Sequence, residues 1–164
     1  MWRRVCIRQP TWGCNLHQFA EGAAVAEVRI YARAAAPLET VWSVLADQTG
    51  MAAWTPARMV TLEREGDPSA RGIGAIRVIS RPPFTVREQI TDVDEPTRLA
   101  YRLLSGLPAR DYRGETVLSS VDGATDIVWA VTLAPRLPGV TFVVRYVIGA
   151  LVKGLVAESE HRAR

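Results

Sequence analysis

One segment constrains the fold of this chain more than any other. Residues 72–93 read GIGAIRVIS, then RPPF, then TVREQITDV, two strand-like runs around a pair of prolines. Pro82 and Pro83 have no backbone N–H to give to a ladder, so the chain must turn there. A turn centred on them pairs Ile79 with Val86, Arg77 with Glu88 and Ala75 with Ile90. Side chains alternate along a strand, so all six fall on one face. That face is apolar except at Arg77 and Glu88. A cation and a carboxylate in an apolar surface lose hydration unless they satisfy each other or a ligand. The pair is therefore either a structural clasp or the polar end of a pocket. A slip of one residue would turn both charges outward.

The same alternation runs on to Leu133. In TRLAYRLLSG the inward set is Leu99, Tyr101 and Leu103, with Arg98 and Arg102 on the other side. In DYRGETVLSS it is Tyr112, Thr116 and Leu118, and in TDIVWAVTL it is Ile127, Trp129, Val131 and Leu133. Upstream, AEVRIYARA sets Val28 and Ile30 against Glu27, Arg29 and Tyr31. On this reading Arg77 and Glu88 are the two charges on the whole concave side of an antiparallel sheet.

Three helical segments flank these strands. Pro37 opens the first, Glu39 sits in its first turn, and Leu38, Val41, Trp42 and Leu45 follow at helical spacing until Gly50. A second, from Met51 to Trp54, is closed by Thr55 and Pro56. Trp42 and Trp54 read as core, with cavity walls as the alternative. The last runs from Val140 to Arg162, roughly 34 Å at about 1.5 Å per residue. Its stripe is Val144, Ile148, Leu151 and Leu155, widened by Val143, Val147 and Ala150. Arg145 and Lys153 interrupt its apolar run, and each would cost about 2.5–3.5 kcal/mol near a bilayer centre. Stable membrane insertion is therefore not expected, while peripheral lipid contact through this face stays open.

Composition limits the remaining choices. The chain has 164 residues, 48% of them hydrophobic and 23% charged, enough for one domain with a substantial core and too few for two. The net charge is +3, yet the basic residues are nearly all arginine and alternate with acidic and apolar neighbours. No contiguous basic face for nucleic acid emerges. Cys6 and Cys14 lack metal-site spacing, and His17 and His161 lie far apart. Residues 1–24 show neither strand nor helix period and no secretory pattern, so they are expected to be a flexible extension ahead of a natural start near Val25. One domain then spans 25–164, with the cytoplasm as its default location.

The element order is strand, two short helices, about six further antiparallel strands and a long C-terminal helix. A curved sheet with an apolar concave side needs a cover, and the last helix is long enough to supply it. This is a helix-grip α+β architecture: about seven strands wrapped around the C-terminal helix, with a central cavity. The residues that build it also carry a resemblance. PLETVWSVLAD after the first strand, Trp54–Pro56, GIGAIR ending in Arg77, REQITDVDEPTRLAYR with Glu88, Pro96 and Tyr101, GLPARDYRGE with Tyr112, and the late Trp129 are similar to the START-like (SRPBCC) superfamily, in its bacterial polyketide cyclase/dehydrase-like group. That superfamily houses cyclases, hydrolases, lipid carriers, hormone receptors and stress proteins, so the resemblance implies fold more sharply than function.

Three readings of function stand side by side. The first is a carrier or sensor of a small hydrophobic ligand, lipid or polyketide, bound between the sheet and the last helix. Its site would be Arg77 and Glu88 at the polar end, with Tyr101, Tyr112, Thr116, Trp129 and Ile148 as walls, and Leu107 and Pro108 at the rim. The second is a cyclase, aromatase or dehydratase without metal or nucleotide cofactor, with Glu88 as general acid or base and Arg77 as its partner. The third is a structural or interaction protein with a filled core and the pair as a clasp. No cofactor and no nucleic-acid partner are expected, and a homodimer is one open arrangement.

Overall fold

Residues 24–164 are described by the computed structural model of the protein. Alternating apolar runs become seven antiparallel strands: β1 (Ala26–Ala34), β2 (Met59–Arg64), β3 (Ile76–Arg81), β4 (Phe84–Asp94), β5 (Arg98–Ser105), β6 (Ala109–Val121) and β7 (Ala124–Pro135). They form one sheet in the order β1-β7-β6-β5-β4-β3-β2. Helix α1 (Leu38–Ala46) and a short 3-10 helix (Gly50–Ala53) follow β1, and helix α2 (Val140–Arg162) ends the fold. The expectation about residues 1–24 falls almost wholly outside the described residues.

Pro37 caps α1 with no side-chain bond, its ring supplying the fixed φ of −60° that starts the helix. Val41, Trp42, Val44 and Leu45 form its buried face. The strand MVTLER was not placed by the sequence reading. Six residues long, it pairs with β3 through Val60 opposite Ile79 and Leu62 opposite Arg77, and a register shift follows Leu62.

Helix α2 packs chiefly on β1, β7 and α1. Its bounds are those expected, and Val144, Ile148 and Leu155 of the expected stripe are buried, but the rest of the buried row differs. Val140, Val144, Ile148, Val152, Leu155 and Ser159 are buried, a row at spacings of four and three. Val143 and Val147 do not widen it, being 52% and 42% exposed, and Leu151 is half-buried. The stripe follows the residues that reach β1 and β7, and turns Val143 and Val147 to its flank. The helix is long and apolar enough to cross a membrane by length and composition, yet this stripe belongs to the core.

Besides its buried row, the far end of α2 meets the rest of the fold through Glu160 and Gly154. Glu160 accepts a hydrogen bond from the Ala35 amide at 2.9 Å, and Gly154 lies against the end of the 3-10 helix. A Cβ at Gly154 would stand 1.9 Å from the Trp54 carbonyl oxygen, whereas one at Gly149 would meet open space. Gly154→Ala is therefore expected to lower the unfolding free energy by about 1–3 kcal/mol through overpacking. Gly149→Ala should raise it by roughly 1 kcal/mol from helix propensity alone. Urea denaturation of both variants separates the two effects; equal shifts would contradict the close approach.

Candidate functional site

The hairpin β3–β4 has the register that its prolines require. Arg77 pairs with Glu88, Ile79 with Val86, and Arg81 with Phe84 across the Pro82–Pro83 turn. Ala75 lies just before β3 and accepts the Ile90 amide at 2.9 Å. Among the described residues, Arg77 and Glu88 are the two buried charges, 2% and 5% exposed. Arg77 Nε and Nη2 approach Glu88 Oε2 at 2.9 and 2.8 Å. Charge neutralisation on this scale is what allows either group inside.

The pair rests on an aromatic stack from three strands. The Arg77 guanidinium carbon lies 4.8 Å from the centre of the Tyr101 ring, a cation–π geometry worth up to about 2 kcal/mol when dry. Tyr101 crosses from β5 over β6 and accepts a 2.9 Å hydrogen bond from Trp129 Nε1 on β7. That crossing is possible because the residue opposite Tyr101 is Gly114. A Cβ there would come within 2.2 Å of the Tyr101 ring. Tyr112 packs at 6.4 Å, ring centre to ring centre. Burial, followed by the negative charge of Glu88, raises the Tyr101 phenol far above its ordinary range. Burial and then the neighbouring Tyr101 do the same to Tyr112. Both phenols stay protonated and can donate.

The pair keeps capacity in reserve. Glu88 Oε1 and Arg77 Nη1 make no hydrogen bond with described residues, yet neither is a sealed orphan, a state confined among described side chains to Gln48 Oε1, Trp54 Nε1 and Thr116 Oγ1. They therefore border accessible space. Inward of the pair, where the sequence pattern predicts a central cavity walled by Tyr101, Tyr112, Thr116, Trp129 and Ile148, the concave face is packed: Ile90, Leu99, Tyr101, Leu118, Trp129 and Ile148 are each at most 2% exposed. Toward the hairpin tip it loosens, with Ile79, Val86 and Leu103 half-buried. Leu103 faces Glu88 across a register shift between Arg87 and Glu88 that leaves Leu104 unpaired on β5. One acceptor and one donor thus stand at the inner end of an apolar strip, a fit for a hydroxyl, carbonyl or enol on an apolar body.

Arg77, Glu88, Tyr101, Tyr112 and Trp129 are brought together. Thr116 lies on the same face opposite Leu99 and Trp129, fully buried with its hydroxyl unpartnered. Ile148 is buried in α2, within the core cluster. Leu107 is half-buried and packs against the core, and Pro108 is exposed in the β5–β6 loop. Sequence reasoning missed Gly114, although a glycine inside a strand is itself a sign of close approach. Among the described residues no three His, Cys, Asp or Glu gather as a metal site. Two surface grooves lie elsewhere, one along α1 beside Glu95 and Pro96, the other on the outer sheet face around Arg29, Arg98 and Arg113.

The profile of a family described as polyketide cyclase/dehydrase and lipid transport matches residues 25–159. No curated protein matches the chain. The fold is similar to that of the Zhui aromatase/cyclase from Streptomyces sp. R1128, at 22% identity and a TM-score of 0.70, over 86% of this chain and 97% of that one. It is also similar to a START superfamily protein from Mycobacterium smegmatis, at 14% identity and a TM-score of 0.66, over 84% and 96%. At such identities these structures establish the helix-grip fold alone.

The stack makes its own prediction. Gly114→Ala should displace Tyr101 from Trp129 and cost about 1–3 kcal/mol, with a changed near-ultraviolet dichroism from the lost Trp129 contact. A variant with wild-type dichroism and stability would show that the crossing does not depend on this glycine.

Proposed function

The chain belongs to the polyketide cyclase/dehydrase and lipid transport family, and from that membership we propose that it binds a small hydrophobic molecule as a carrier or sensor. Membership supports a ligand-binding or cyclase role. The observation that favours binding is the placement of a mutually satisfied Arg77–Glu88 pair, with one donor and one acceptor to spare, at the inner end of a half-exposed apolar strip.

In this reading the ligand's apolar body lies along Ile79, Val86 and Leu103, between the β3–β4 tip and Leu107. Its polar end takes a hydrogen bond from Arg77 Nη1 and gives one to Glu88 Oε1. Tyr101 holds Arg77 from below, and Trp129 holds Tyr101. The site is suited to recognition because its charges match before the ligand arrives, so no net charge need be desolvated on entry.

Catalysis would ask more of the same residues. A general acid or base at Glu88 must gain or lose a proton, and each such step breaks its charge match with Arg77. Tyr101 and Tyr112, held neutral and buried inward of the strip, do not act as bases at neutral pH. A cyclase would therefore work here by shape and hydrogen bonding, with Glu88 as its proton shuttle.

Native mass spectrometry of protein purified without organic extraction is expected to find a stoichiometric apolar molecule. Glu88→Gln should reduce its retention about tenfold or more, the loss of a hydrogen bond to a charged group. Conversion of the retained compound by the wild type, abolished in Glu88→Gln, would replace the carrier reading with the cyclase one. An empty wild-type protein would remove the carrier reading.

A further inference from the structure

All the connections at one end of the sheet converge. The β3–β4 turn, the β5–β6 loop and the β7–α2 segment lie there, as the antiparallel pairing dictates. They touch: a Cβ at Gly106 would stand 2.2 Å from the Thr85 carbonyl oxygen, and the Arg136 amide donates to the Pro108 carbonyl at 2.9 Å. The first half of α2 starts from this end, since its last turn reaches Ala35 at the other.

This end is where apolar surface is exposed. Among the described residues, every exposed large hydrophobic side chain except Tyr31 and Ile73 belongs to these connections, to adjoining strand ends or to the start of α2. Phe142 and Tyr146 are 74% and 73% exposed, Phe84 69% and Leu137 58%. On α2 they follow one face, since Phe142, Tyr146 and Gly149 lie opposite the buried row of Val144, Ile148 and Val152. Only 28% of the most apolar stretch of the helix is buried.

Charge identifies what this surface suits. Arg58, Arg81, Arg110, Arg136 and Arg145 are exposed at the same end, and no described carboxylate pairs with any of them. Asp111 and Glu27, the latter held by Arg29, are the local counter-charges, and the acids of α2, Glu158 and Glu160, are at its far end. Aromatic and aliphatic tips ringed by unpaired arginines complement an anionic lipid surface, which takes the tips into its interface and the arginines at its headgroups. A symmetric second copy would set arginines against arginines, and a nucleic acid would leave the apolar tips without a partner. We infer that this end is a docking surface for anionic phospholipid membranes. The rim of the Arg77–Glu88 strip would then open onto the bilayer. The inference stands on surface chemistry alone and does not require that strip to hold a ligand.

Sedimentation of the full chain with phosphatidylcholine vesicles, with and without phosphatidylserine, tests it. Binding is expected with phosphatidylserine and should weaken as salt rises. Arg136→Gln/Arg145→Gln should lower the partition constant about twenty-five-fold, at roughly fivefold per arginine beside an anionic surface. Phe142→Ser/Tyr146→Ser should abolish sedimentation, and Tyr31→Ser, on the outer sheet face, should leave it unchanged. All substituted positions are exposed, so folding is checked by the thermal melt. No sedimentation of the wild type, or equal sedimentation of every variant, overturns the inference. A wild type that stays off vesicles and runs as a dimer dissociated by Phe142→Ser/Tyr146→Ser assigns the face to a second copy and overturns it equally.

Discussion

The buried ion pair between Arg77 and Glu88 is the constraint around which the concave face is arranged. Each charge alone would cost several kcal/mol in that position, and removing either partner would cost about 3–5 kcal/mol. The pair is tolerable because the hairpin sets the two residues directly opposite each other and because Tyr101 supplies a π-face beneath the guanidinium. A chain that sought stability alone would fill those positions with aliphatic side chains. Under the proposed function, a bound ligand offsets the cost of keeping them charged.

Support for the pair extends across the sheet. Arg77 lies on Tyr101, Tyr101 on Gly114, and Trp129 fixes the phenol oxygen. Four strands thereby hold one guanidinium, and rotation of any member must move the next. Inward of this chain the core is closed, while outward the strip of Ile79, Val86 and Leu103 is half-buried.

Much of this was legible in the sequence because period two is unambiguous where one sheet face is apolar. The hairpin register followed from two prolines, and the burial of Arg77 and Glu88 followed from that register. The bounds of α2 followed from its apolar run. Other features were hidden for identifiable reasons. β2 is short and exposes most of its side chains, so its pattern hardly differs from that of a loop. The exposure of Val143 and Val147 depends on which side of α2 meets β1, something that helical spacing does not specify. Gly114 carries no side chain to read, and its importance appears only when Tyr101 is seen lying over it.

Under the proposed function, the pair serves a bound molecule and not stability. The most direct measurement is native mass spectrometry and thermal unfolding of one double variant, Arg77→Met/Glu88→Leu, which removes both charges at similar volume. If the claim holds, the variant melts at or above the wild-type temperature and no longer retains the apolar molecule. A variant that keeps the molecule at wild-type stoichiometry, or unfolds far below the wild type, would contradict it and return the pair to the role of a clasp.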